Sequence, residues 1–132
     1  MSKPQPRIIG QEDIQRWLLA FQKCVRKRDY EKSRELFHSN VIGFGTESKR
    51  DNNIVDLDAN DWKKAWGNML AFEFVIKDAG VIPAPGMFVI AIDWLSRSPI
   101  YGGSNTNGRA TIVLVNFDGK LLCVHSHFSI NK

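Results

Sequence analysis

The sequence predicts one α+β domain in which three helices come first and an antiparallel sheet follows. Three observations predict it. Apolar residues recur at helical spacing in the first quarter of the chain and again around Trp62. From Phe72 onward they fall at strand spacing. The two kinds of segment are segregated along the chain rather than alternating, which is the α+β pattern and not the α/β one. The 132 residues suit a single domain, read as residues 10–132 behind a flexible tail at residues 1–9 that holds two prolines. A domain of this size buries roughly two-thirds of its unfolded surface, so it needs neither disulfide nor metal to fold.

The first helix is expected from Gln11 to Arg28. Ile14, Trp17, Leu18, Phe21 and Val25 form one stripe, Glu12 and Asp13 sit in the first turn, and Arg26, Lys27 and Arg28 sit in the last. Both ends suit the helix dipole. Asp29 then caps a second helix from Tyr30 to about Phe37. Val41–Thr46 (VIGFGT) reads as a strand loosened by Gly43 and Gly45, Glu47–Asn53 as a turn, and Ile54–Leu57 as the return strand. Asp58 or Asn60 would cap a third helix whose stripe is Trp62, Ala65, Trp66 and Met69. Phe72–Ala79 alternates as a strand. Val81–Gly86, with two prolines and a glycine, reads as a turn. Met87–Leu95 is a long apolar strand ending near Asp93, and Ser96–Asn107 is a long loop, a possible lid. Arg109–Phe117 and Leu121–Ile130 are strands joined at Asp118-Gly119, a strong hairpin signal. Both faces of the last strands carry apolar residues. Helices can cover only one face, so a second subunit is expected over the other.

Composition narrows the function classes. Cys24 and Cys123 sit in no CxxC motif and read as reduced, buried small residues. The start MSKPQPR lacks an apolar signal region, and no apolar run approaches the roughly 20 residues that span a bilayer. The expectation is a cytoplasmic protein without a membrane partner. A net charge of +4 and a pI near 9.2 hint at nucleic acid, but the basic residues are scattered and the one cluster is a helix end, so no nucleic-acid partner is expected. Four Trp and eight Phe are generous for this length and suit a fold that lines a cavity as well as filling a core.

The element order and several strings carry a family resemblance. FQKCVRKRDYEKSRELF (21–37), VIGFGTE (41–47), DWKKAW (61–66), GRATIVL (108–114) and VHSHFS (124–129) resemble the SnoaL-like branch of the nuclear transport factor two-like superfamily. The combination most resembles small uncharacterised bacterial members, cyanobacterial ones among them. The ending VHSHFS also resembles the last strand of the calcium/calmodulin-dependent kinase association domain. The resemblance covers nearly the whole chain after residue 10 and is specific for fold. It implies a cone: three helices wrapped on a strongly bent antiparallel sheet, with a hydrophobic pocket at the open end and, in many members, a dimer through the outer sheet face. Isomerases, cyclases, dehydratases and epoxide hydrolases share this fold with pure binding and assembly proteins, so the fold alone does not choose among them. The isomerase members use a helix-one Tyr, an Asp near the first strand and an Asp on a late strand. Here the corresponding places offer Trp17 and Phe21, then Glu47, then Thr111, Ile112 and Val113. That departure leaves no obvious carboxylate base or oxyanion donor.

The most distinctive motif is Cys123-x-His125-x-His127-x-Ser129, whose side chains would all point to one face of a regular strand. One Cys and two His can begin a zinc site, but a further ligand is not evident and the only other histidine is His38, so no metal and no cofactor are expected. The candidates for catalysis are His125 or His127 as general base and Asp93 as an acid at the pocket mouth. The ordinary alternatives are hydrogen-bonded histidines within a dimer face and a solvated strand-end acid. Hairpin register decides the company these residues keep. A two-residue loop places Arg109, Thr111 and Val113 beside Phe128, Ser126 and Val124. A three-residue loop with a glycine bulge places them with His127, His125 and Cys123. The second separates apolar from polar faces more cleanly and makes Arg109, Thr111, His125 and His127 one constellation, either a fork for a carboxylate or a strip at a two-fold interface. Trp17, Phe21, Phe44, Trp62, Trp66, Trp94 and Phe128 are the candidate pocket wall, with ordinary core packing as the alternative for each. Gly43 and Gly45 allow a close approach to the first strand and are no phosphate loop, since no GxxxxGK follows.

The leading expectation is a homodimer whose apolar pocket binds a small, partly apolar organic molecule. The alternatives are a metal-independent lyase or isomerase using a strand histidine, and a pure association module. An association module predicts a filled cavity, and a binder an open apolar one.

Overall fold

The computed structural model of the chain describes residues 10–46, 49–98 and 105–131. The expected tail at 1–9, Glu47, and residues 99–104 of the expected loop lie outside the described residues. Helix α1 (Gln11–Lys27) buries Ile14, Trp17, Leu18, Phe21, Cys24 and Val25 along one face. The Asp13 carboxylate accepts from the Gly10 N–H at 3.0 Å, and Arg28 ends the helix with a left-handed φ of 53°. Helix α2 (Tyr30–Arg34) is capped by Asp29, as expected, but is shorter. Strand β1 (Phe37–Phe44) begins where that helix was expected to end, because Phe37 pairs with Cys123 and the Cys123 N–H donates to the Leu36 carbonyl.

The next segment corrects the sequence reading. The return strand is the short β2 (Arg50–Asp51), and Ile54–Leu57 is helical (α3). The β-branched Ile54 and Val55 favour a strand, but the Asn53 side chain accepts from the Asp56 N–H at 2.8 Å and caps a helix. Burial of Leu57 against Gly43 favours the same outcome. The helical path continues through a π turn (Asp58–Trp62), α4 (Lys63–Ala65) and a 3₁₀ turn (Trp66–Asn68). Asp58 and Asn60, expected as caps, therefore lie inside this third helical segment. The Asp58 side chain is 1% exposed and is held by the Arg34 guanidinium at 2.6–2.7 Å, with the Lys63 ammonium at 3.8 Å.

Strand β3 (Leu70–Phe74) ends sooner than expected, in a 3₁₀ turn at Ile76–Asp78. The stretch expected as a turn forms β4 (Gly80–Ala84), leaving only Pro85-Gly86 as the turn. β4 pairs with β5 alone, and an edge strand tolerates Pro83 because its missing N–H leaves no inner ladder bond unmade. Strands β5 (Met87–Arg97), β6 (Asn105–Phe117) and β7 (Lys120–Ile130) are the long elements. The first two run further into the expected loop than the sequence suggests: Ser96 pairs with Thr106 and Arg97 with Asn105, and Ser96 Oγ donates to the Thr106 carbonyl. The sheet order is β2-β1-β7-β6-β5-β3 with β4 also on β5, and every pairing is antiparallel except β1 with β7.

The β6–β7 register starts as the two-residue alternative and then departs from both. Asp118 and Gly119 have φ of 52° and 91°, and Phe117 faces Lys120, so the loop has two residues rather than three. A bulge at Val124 then shifts the pairing from Leu114–Cys123 to Val113–His125. Beyond it Thr111 faces His127 and Arg109 faces Ser129. The polar residues thus share a face, as the three-residue loop had suggested, but Cys123 does not join them. The extra residue turns Cys123 into the core beside Leu114 and leaves His125 and His127 on the other side.

Gly108 pairs with Trp94 across β5 and β6, and a Cβ there would overlap the Trp94 ring and the Ser129 carbonyl. Gly108→Ala is expected to cost about 1–3 kcal/mol or more through overpacking. Urea unfolding checks this, and an unchanged midpoint would mean that Trp94 packs elsewhere.

Candidate functional site

Aromatic side chains fill the interior of the cone. Phe21 lies 5.3–6.2 Å, centroid to centroid, from Trp17, Phe37, Trp62, Trp66, Phe74 and Phe128. Trp62 stacks on Trp66, and Trp66 stacks on Tyr30. The space left among Phe21, Val25, Trp62, Trp66, Met69 and Phe128 is about 10 Å³. That is room for about one water and no more. Two polar side chains, Thr46 and Asp61, join this lining. Asp61 fits there because Gly45 has no Cβ to collide with its carboxylate. Sequence reasoning missed both, since neither falls on an apolar stripe; the Gly45 gap was the only signal.

The expected pocket wall divides. Phe21, Trp62, Trp66 and Phe128 line this small space. Trp17 is core, its Nε1 donating to the Leu36 carbonyl at 3.0 Å. Trp94 is fully buried against Phe72 and Gly108 and does not reach the space. Phe44 is a correction. It lies on the opposite face, 37% exposed, with its ring 5.1 Å from that of His127. The alternation of β1 forces this, because Val41 and Gly43 take the inner face and leave Ile42 and Phe44 outside.

The expected polar constellation also lies on this outer face, not inside the cone. In β5, β6 and β7 the helix-facing residues are Ile90, Ile92 and Trp94; Ala110, Ile112 and Leu114; and Cys123, Ser126 and Phe128. The residues between them face outward in two groups. Toward the hairpin end Met87, Val89, Val113, Val115 and Leu122 make an apolar half. Toward the other end Asp93, Arg109 and Ser129 lie in register as one row, and Ala91, Thr111 and His127 as the next. These six residues, with Ile92 and Ala110, line an open groove of about 560 Å³. His125 sits at the boundary, its Nδ1 2.8 Å from the Ile42 carbonyl.

The bulge also separates the possible metal ligands, with Cys123 facing inward and both histidines outward. Among the described residues no three His, Cys, Asp or Glu side chains gather around one point. Burial pushes the Cys123 thiol well above its ordinary range. Burial, and next the Asp29 carboxylate, raises Cys24 as well. Neither is a poised nucleophile, because the thiolate is the reactive form. No described helix is long and apolar enough to cross a membrane.

No protein-family model matches the chain, and no curated protein matches it in sequence. Its likeness to solved structures is strong. An NTF2-like protein from Cytophaga hutchinsonii superposes with a TM-score of 0.72 at 14% identity, over 93% of this chain and 100% of that one. An NTF2-like protein of unknown function from Pseudomonas putida gives 0.76 at 16% identity, over 90% and 84%. A protein with a cystatin-like fold from Caulobacter vibrioides gives 0.69 at 17% identity, over 93% and 90%. At these identities the likeness establishes the fold: the chain is an NTF2-like α+β cone.

Two outcomes follow from this geometry. Trp66 is 4% exposed in a filled interior, so Trp66→Ala is expected to cost about 3–5 kcal/mol in chemical denaturation. A loss below about 1 kcal/mol would mean that the ring borders an open pocket. Both cysteines should resist a thiol reagent in the folded protein and react on denaturation, and prompt labelling of either would contradict its burial.

Proposed function

We propose that this NTF2-like chain is an association module that forms a homodimer through the apolar half of its outer sheet face. The observation that carries this reading is the contrast between the two sides of the sheet. The inner side is closed to about 10 Å³, whereas Met87, Val89, Val113, Val115 and Leu122 form a contiguous apolar strip on the side facing away from the described helices. Ile42 extends the strip onto β1 and is 44% exposed. A strip of this kind on a soluble domain marks an interaction surface. A two-fold contact suits it because each copy offers the same patch. The enzyme alternative gains little from His125 and His127, which stand outside the cone, His127 on an open groove and His125 at its boundary.

A second reading is the binding of a small, partly apolar molecule inside the cone. It is favoured by one observation, the placing of Thr46 and Asp61 in an otherwise apolar lining at a π turn, a feature frequent at functional sites. A ligand there has to displace aromatic side chains.

Sedimentation velocity from about 1 to 100 μM tests the association reading. A species of twice 15.0 kDa is expected, and Val113→Asp or Leu122→Glu should yield a folded monomer. A wild-type monomer across that range would overturn it. In that event, saturable quenching of tryptophan fluorescence by an apolar ligand would favour the second reading.

A further inference from the structure

The groove on the polar half of the outer face has a charge arrangement that the association reading leaves unexplained. Asp93 and Arg109 are direct Cα partners on β5 and β6. Opposed charges at such a position are about 4.5–5.5 Å apart at the backbone and ordinarily meet. Among the described residues the ion pairs are Arg16–Asp13, Arg34–Asp58 and Lys63–Asp58, and Asp93 with Arg109 is not one of them. Their charged ends stand apart on the wall of a groove of about 560 Å³. That volume lies within the roughly 300–1,000 Å³ typical of small-molecule sites.

The groove exists because its floor is built from small residues. Ala91 pairs with Thr111 and Ala110 lies beneath, while the larger Asp93, Arg109 and His127 stand around them. Hydrogen-bond donors line the β6 side of Asp93: Arg109 is the next residue in its row, Ser129 the one after, and Thr111 and His127 stand in the neighbouring row. A bare anion would meet Arg109 but also the Asp93 carboxylate. A bare cation would meet the reverse. A molecule bearing both signs satisfies both walls, with its ammonium on Asp93 and its carboxylate on Arg109, Thr111 and His127. An exposed Asp–Arg pair is worth at most about 1 kcal/mol, so closure of the pair onto itself is weak competition.

We infer that this groove is a binding site for a small zwitterion, a molecule carrying an ammonium and a carboxylate on one short frame, as an amino acid does. The site is complete within one protomer and does not depend on the association reading.

The test is an amide NMR titration of the full chain with L-alanine and β-alanine, with acetate and methylammonium as single-charge controls at matched ionic strength. Saturable shifts at Asp93, Arg109, Thr111 and His127 are expected for a zwitterion. The controls should bind about fivefold more weakly, the effect of losing one exposed charge contact of about 1 kcal/mol. Asp93→Asn and Arg109→Gln should each weaken zwitterion binding by a similar factor, and their spectra report folding directly. Acetate binding to the wild type as tightly as L-alanine, with zwitterion binding unchanged by Asp93→Asn, would overturn the inference in favour of a plain anion site. Absence of saturable shifts, in both the wild type and Leu122→Glu, would overturn it outright. Because Leu122→Glu removes the proposed dimer contact, failure here and failure of the association reading are separable.

Discussion

The Phe21 ring is the point at which the elements of this fold meet. It comes from the middle of α1 and touches rings from β1, the third helical segment, β3 and β7. Each such ring buries a large apolar area, and tilted aromatic pairs contribute about 0.5–1.5 kcal/mol beyond that area. A bent sheet wrapped by helices would otherwise enclose a void, and here side chains from all sides close it. With the interior occupied, the open surfaces are the sheet face and the rim of the cone.

A second constraint sits where α2 meets the third helical segment. A carboxylate as buried as Asp58 is costly unless paired, and the Arg34 guanidinium pairs it through one oxygen while the other has no partner among the described residues. The pair pins two short helical pieces that have little propensity of their own. α1 is fixed differently, by backbone contacts: Arg26 Nε donates to the Phe72 carbonyl and the Phe74 N–H donates to Gln22. Between them these bonds set the helical layer at a defined height above the sheet.

Much of the fold was legible in the sequence because it is written in local terms. The α1 stripe, the charged helix ends, the Asp29 cap and the Asp118-Gly119 turn each depend on neighbours in the chain, and the structure holds all four. What escaped depends on distant partners. Ile54 and Val55 read as strand because propensity cannot register a cap one residue away combined with burial of Leu57 on Gly43. Val81–Ala84 read as a turn because two prolines outweigh a pairing visible only when β5 lies alongside. The candidate site turned on one residue: without the Val124 bulge, Cys123 and His125 would share a face, and nothing in the string CVHSH marks the bulge. Phe44 was misplaced by the same kind of parity. The two-row array on the outer face was legible only in part, since Asp93 and Ala91 join it through the β5 register, which the sequence does not specify.

The edge strands have a consequence for how far assembly can go. At one border of the sheet β2 offers two residues, and at the other β4 carries Pro83, which lacks a donor for any incoming strand. Ile82 beside it is 66% exposed and would otherwise invite edge-to-edge pairing. That stretch of the border therefore resists the addition of a further strand. An edge interrupted in this way is a poor template for the open-ended stacking that an unbroken strand would seed.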